Sequence, residues 1–336
     1  MITIKYMDEL RDGLPFAIEA NGKERIYMLP TDTLEILLKD RTTGCNIIWA
    51  TDNYSSRGLG YAKDNPIRLT HVTGRNSDLI KPRIRKTQRE QISRTRDMAE
   101  TFTPSWICNK QNNLVDEAWF GRKDVFNVES GNTWSATTDK IVFSEKEGKT
   151  WQDYVNAQRM EMTCGEAPYL VSLYDTTTGD MISLEQRVGL LDRKLRVVNE
   201  NTETEEEWCE WATKAFKATY GYEFQGDNLL LARENLLLTF IDYYENRFDK
   251  SPEQSLVNEI STIISWNLWQ MDGMKFVVPF SCSNEEHVQL DLFGDDDNSL
   301  FLCPGCNNGN IRAHNGKYCQ IKDWSKNKEI KAVSLL

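Results

Sequence analysis

The chain has 336 residues, 40% of them apolar and 27% charged, with 10 Trp, 13 Phe and 12 Tyr. That is enough apolar and aromatic side chain for one large core or two smaller ones, and it argues against a disordered chain. No apolar run approaches the roughly 20 residues of a membrane span, and no signal-peptide pattern opens the sequence. The net charge of −11 weighs against this chain holding duplex DNA alone, because neutralising phosphates takes a concentrated positive face. The expectation is a cytoplasmic protein whose eight cysteines are thiols or metal ligands rather than disulfides.

Three regions follow in chain order: 1–97, 98–280 and 281–336. The first reads as short strands and turns, with strands at 25–29 and 46–50 and turns at 42–44 and 58–60. It ends in a basic strip from Lys81 to Arg96. That strip is either a solvated helix face or linker, or a phosphate-contacting surface. Thr103-Pro104 marks a helix start, and a loop-rich stretch over 119–150 leads to a helix at 150–160. A strand over 159–164 then enters a turn at Gly165.

The span 183–250 reads as strongly helical. Val188, Leu190, Leu191, Leu195 and Val198 give one amphipathic stretch, and Thr204 followed by three glutamates opens another, with the acids favourable at the helix dipole. A third helix covers 227–248. Ser251-Pro252 signals the start of a fourth, running to about residue 264, and an apolar strand over 267–272 follows it. The last region is polar, with an acidic cluster at Asp295, Asp296 and Asp297.

Within that tail, Cys303, Cys306, His314 and Cys319 give C-x2-C-x7-H-x4-C. Thiolate and imidazole ligands in this number suit tetrahedral zinc, with Pro304-Gly305 as the knuckle and Asn315-Gly316 as a hairpin turn. Cys282 or His287 could replace one ligand. Four protein ligands leave no open position, so the site would be structural. The alternative is a polar loop with free cysteines.

The segment from Glu161 to Leu170 carries Cys164, Gly165, Glu166, Ala167 and Tyr169. It resembles the D-P-A-C-G-S-G-x-F-L motif of DNA adenine-N6 methyltransferases from restriction-modification systems. By that resemblance Glu161 would bind the amino group of the methionine moiety of S-adenosylmethionine, and Cys164-Gly165 would form the turn. Glu166 and Ala167 depart from the motif's small polar residue and second glycine. Phe102, Thr103 and Pro104 resemble the family's F-T-P-x-x-[IV] segment and would line the methionine end of the pocket. Residues 263–272 resemble its N-N-I-Y-G-V-D-I-D strand, which makes Asp272 the expected acceptor for the ribose hydroxyls. Glu223, in Tyr220-Gly221-Tyr222-Glu223, is the second candidate, and the helix and apolar strand leading into Asp272 favour the latter.

The fold this implies is α/β: a Rossmann-like methyltransferase sheet with a helical insertion at 183–250 and a small zinc-binding-like segment at its C-terminal side. The wider run over 165–273 is similar to proteins labelled restriction-modification M subunits, many of them phage-borne. Such enzymes hold the flipped adenine with [DNS]-P-P-[YFW], and no Pro-Pro pair occurs in this sequence. In longer relatives that motif follows a segment similar to 322–336. The resemblance therefore implies a cofactor-binding part whose catalytic motif a protein partner supplies, with DNA reached weakly or through that partner. The alternative is a non-catalytic, phage-type interaction protein acting on host restriction or defence machinery, which the acidic balance suits. A zinc-stabilised nucleic-acid binder using the 81–96 strip is the third reading.

Overall fold

The computed structural model describes residues 15–20, 23–98, 103–144, 146–283, 285–288, 298–301 and 303–336. Helix α1 is Ser105–Phe120, strand β1 is Arg159–Met162, and α2 and α3 are Leu190–Asn201 and Glu205–Lys217. Strand β2 is Thr219–Glu223, α4 and α5 are Gly226–Phe248 and Gln254–Asn267, and β3 is Leu268–Gln270.

The three strands form one parallel sheet in the order β1-β2-β3. Arg159 pairs with Thr219 and Met162 with Tyr222, while Gly221 pairs with Leu268 and Glu223 with Gln270. Parallel neighbours need long crossovers, and α2–α3 and α4–α5 are those crossovers. The span 183–250 is therefore not a helical insertion, because the middle strand of the sheet lies inside it. Five residues buried on both faces carry no alternating pattern, which is why β2 is hidden between two helices in the sequence. The α/β class holds. No helix among the described residues is long and apolar enough to cross a membrane.

Local signals decide most helix starts. Thr204 caps α3 by accepting from the Glu207 amide at 3.2 Å, with Glu205, Glu206 and Glu207 in the first turn. Thr150 and Asp153 exchange side-chain to amide bonds at 3.0 and 3.2 Å at the head of Trp151–Asn156. Two starts differ. The first helix of the 183–250 span begins at Leu190, after a single turn of 3-10 helix at Leu184–Gln186. Ser251 does not cap α5; its hydroxyl donates to Glu245 instead.

Residues 46–50 form no strand. Isolated bridges hold Asn46 to Lys39 and Ile48 to Pro66, and the Gln270 side chain bonds both the amide and the carbonyl of Ile48 at 2.8 Å. Gln270 thus ties this segment against β3. A strand does form at Lys23–Met28, paired with Pro15–Ala20.

The core is built on α4, in which residues 226–241 are all buried, as expected of a helix enclosed all round. Several of its polar residues make internal partners. Asp227 binds Arg94 at 2.8 Å and accepts from the Tyr54 hydroxyl at 2.8 Å, with Lys86 at 4.0 Å. Two cations of the basic strip are therefore turned inward rather than displayed to solvent. Lys194, also buried, donates to the carbonyls of Ala157 and Ala218, fastening the entries of β1 and β2 together.

Glu234 differs from these. It is fully buried, and neither carboxylate oxygen has a hydrogen-bond partner. Burial pushes its carboxyl up to about 8. A carboxyl raised in the folded state stabilises most below its unfolded value, and that contribution is lost as pH rises through 8. Glu234→Gln should therefore gain on the parent chain from pH 5 to pH 8, reaching roughly 2–4 kcal/mol in urea unfolding. A difference that stays constant across that range would refute the assignment.

Candidate functional site

At the carboxyl ends of β1 and β2 the chain turns sharply. Thr163, Gly165 and Ala167 all have positive φ, at 50°, 54° and 64°. Gly165 meets this conformation without a Cβ penalty, whereas Thr163 and Ala167 carry backbone strain of the kind that gathers at binding sites. The turn opens a cavity of about 710 Å³, lined by Thr103, Glu161, Gly165, Tyr169, Glu223 and Phe224 among others.

Two carboxyls sit in its wall, Glu161 at 8% and Glu223 at 6% exposure. Glu161 accepts from the amides of Leu170 at 3.2 Å and Tyr169 at 3.4 Å. Burial raises its carboxyl well above the usual range, those two amides pull it back, and the Glu223 carboxylate pushes it further up. Glu223 accepts from Gly165 at 2.9 Å and Gln225 at 3.1 Å. It is likewise raised by burial, against the pull of the Gln225 and Gly165 amides. A cation entering this cavity would relieve both.

The other residues of the expected pocket divide. Thr103 lines the cavity and Pro104 precedes the first residue of α1. Phe102 lies outside the described residues. Cys164 is buried, with its amide donating to the Tyr222 carbonyl at 2.9 Å. Glu166 points away from the cavity, accepting from the Arg83 amide at 2.7 Å and the Tyr174 hydroxyl at 2.6 Å. It therefore adds no charge to the cavity wall.

Asp272 is not beside Glu161. It lies past the end of β3, two strands away, and strands stand about 4.8 Å apart. Glu223, on the adjacent strand, is the acid that the sheet brings to Gly165. Asp272 accepts from the Met274 amide at 3.0 Å, with Lys275 at 3.5 Å. It lines a second cavity, of about 640 Å³, with Phe224, Lys275, Phe280, Cys282 and Cys306. Phe224 belongs to both cavities.

Cys282, Cys303, Cys306 and His314 form a cluster fit to hold a metal ion, with all four ligand atoms within 4.8 Å of one another. His314 Nδ1 stands 3.6 Å from each of the three sulfurs. A tetrahedral centre with bonds of about 2.3 Å to sulfur and 2.0–2.1 Å to nitrogen separates S and N by about 3.6 Å, so the spacing is consistent with zinc. Pro304 opens the short helix Pro304–Asn308 that forms the knuckle. Gly305 is required there, since a Cβ would come within 2.5 Å of His314 Nδ1. The Asn315 amide donates to the Cys303 sulfur at 3.3 Å.

Cys319, expected as the fourth ligand, is not in the cluster; Cys282 takes that place. The chain after His314 leads into a bridge between Tyr318 and Val277, which turns Cys319 inward. Its thiol donates to the Gln270 carbonyl at 3.3 Å, and it packs with Tyr220, Tyr222 and Trp269 in a second apolar cluster. The side chain of His287 lies outside the described part of the structure.

No known family model, curated protein or solved structure matches the chain.

Proposed function

We propose that the chain binds S-adenosylmethionine in the Glu161–Glu223 cavity, as the cofactor-binding part of a DNA adenine methyltransferase whose base-holding motif comes from a partner chain. One observation carries the reading. Thr103, Glu161, Gly165 and Glu223, from three well-separated stretches of sequence, line a single cavity at the carboxyl ends of adjacent parallel strands. Open α/β sheets take their ligands at that edge.

The chemistry of the lining fits the group. Glu161 would take the ammonium of the methionine moiety and Glu223 the ribose hydroxyls. Phe224, next in the chain, offers a ring face to the adenine, and Asp272 beyond it an acceptor for the exocyclic amine. The Cys3His cluster is read as zinc, which three thiolates and an imidazole suit. The reading sets the protein in the cytosol, where thiols persist.

A second reading, a non-catalytic protein acting on restriction or defence machinery, is favoured by the net charge of −11 and by the inward turn of Lys86 and Arg94. Calorimetric titration with S-adenosylmethionine separates the two. Saturable binding should weaken at least about tenfold in Glu223→Ala, equivalent to about 1.4 kcal/mol. Affinity should also fall as pH is lowered, because an ammonium needs Glu161 ionised and its carboxyl is raised in the free protein. No binding at millimolar ligand would abandon the cofactor reading for the second.

A further inference from the structure

We infer that the Cys282–Cys303–Cys306–His314 cluster is a metal-dependent wall of a purine pocket, so that the metal and a purine nucleoside each tighten the binding of the other. The inference rests on the cofactor reading for the identity of the nucleoside, and it concerns the second cavity rather than the Glu161 cleft.

Two of the three thiols of the cluster, Cys282 and Cys306, line the cavity that also holds Asp272, Lys275 and Phe280. The metal site is thus not sealed in a separate lobe. Phe280 is two residues before Cys282, half exposed at 50%, with φ of 60°. Phe276 has φ of 61°. Bulky residues are rarely found in this left-handed region, and they persist there only where their surroundings over-determine them.

Those surroundings have two anchors. Near the sheet, the Asp272 amide donates to Val277 at 2.9 Å and the Val278 amide to Lys317 at 2.9 Å. Beyond Phe280, Ser281 accepts from the Lys317 amide at 3.0 Å, and Ser283 and Asn315 bond one another at 3.3 and 2.7 Å. Cys282 lies between these bonds and meets His314, the neighbour of Asn315, at the cluster. The second anchor is therefore centred on the metal. Gly316 packs so closely that a Cβ would come within 2.9 Å of the Cys282 sulfur. Without the metal, only these hydrogen bonds hold the three thiols and the imidazole together, and Phe280 is less constrained in its strained conformation.

Phe280 forms part of the recognition surface. Its ring stands edge to face with Phe224, centroids 5.6 Å apart at 85°, with Lys63 5.5 Å above it. Two aromatic rings beside the Asp272 carboxylate suit a planar heterocycle that carries an exocyclic amine. Glu223, preceding Phe224, lines the first cavity, to which Phe224 also belongs, and offers a ribose acceptor there. A ligand that needs the Phe280 wall and a metal that fixes it are linked, and the linkage is reciprocal.

The test uses the full chain, zinc-loaded and metal-stripped, titrated with adenosine and separately with S-adenosylmethionine. Adenosine should bind the loaded form at least about tenfold tighter, within the usual range of coupling between sites, and re-addition of zinc should restore the affinity. On the loaded protein, adenosine should slow zinc transfer to a chromophoric chelator, a readout that does not require the stripped form to stay folded. Phe280→Ala should keep one zinc per chain, bind adenosine weakly, and lose the effect of adenosine on zinc release. Equal S-adenosylmethionine affinity with and without metal, and zinc release indifferent to adenosine, would overturn the coupling and leave the cofactor reading standing. Absence of binding by either ligand to the loaded form would overturn both.

Discussion

Chelation of the metal from Cys282, Cys303, Cys306 and His314 is expected to unfold the segment around the cluster while the core built on α4 survives. The knuckle helix has only five residues, far too short to stand alone. Structural zinc contributes about 10–16 kcal/mol of binding energy in isolated finger peptides, so a zinc ion bound at this cluster is expected to add several kcal/mol of local stability. Amide exchange over 303–316 should accelerate by orders of magnitude on chelation, while α4 keeps its protection. The ligand set is tested at the same time. Cys282→Ser and Cys303→Ser should fall below one metal per chain by elemental analysis, and Cys319→Ser should keep it. The reverse pattern would restore the ligand set expected from sequence spacing and contradict the observed one.

Arg233→Met is expected to be among the most damaging core substitutions. The guanidinium is fully buried. It donates to Leu268 at 2.6 and 2.9 Å, Ser265 at 3.2 Å and Lys39 at 3.0 Å, and also to Leu37. These carbonyls belong to the ends of two helices, Thr31–Leu38 and α5, and to the start of β3. Helix ends leave such groups without internal partners. Methionine fills a similar volume but satisfies none of them. Each buried carbonyl left bare costs about 1–3 kcal/mol, so a loss of about 4 kcal/mol or more is expected in urea unfolding. Arg233→Lys should recover part of it, since one ammonium reaches fewer acceptors than the planar fork. A loss below about 1 kcal/mol would show that the carbonyls find other partners.

The legible parts of this protein are those governed by local rules. Thr204 and its three glutamates announce a helix start, and Glu161 with Gly165 announces a strand running into a tight turn; both stand as read. The α/β class follows from the same signals, whereas only the family resemblance joined Thr103, Glu161 and Gly165, which line one cavity. What escaped depends on neighbours distant in the chain. Strand β2 has no period because both its faces are covered, and only its pairing with β1 and β3 defines it. Without β2, Asp272 looks better placed than Glu223, since the order of strands in the sheet is invisible in the spacing. The spacing favours Cys319 over Cys282 as the fourth ligand, and the structure reverses that choice through the bridge between Tyr318 and Val277. The basic strip read as surface because its buried partner, Asp227, lies over 130 residues away on α4.

We propose that the Glu161–Glu223 cavity holds S-adenosylmethionine. This proposal is tested most directly by ultraviolet crosslinking of methyl-labelled cofactor to the zinc-loaded chain, followed by peptide mapping. Label competed by unlabelled cofactor is expected on peptides carrying residues 161–170 or 223–228. Absence of competable label, or label confined to peptides remote from both stretches, would contradict it.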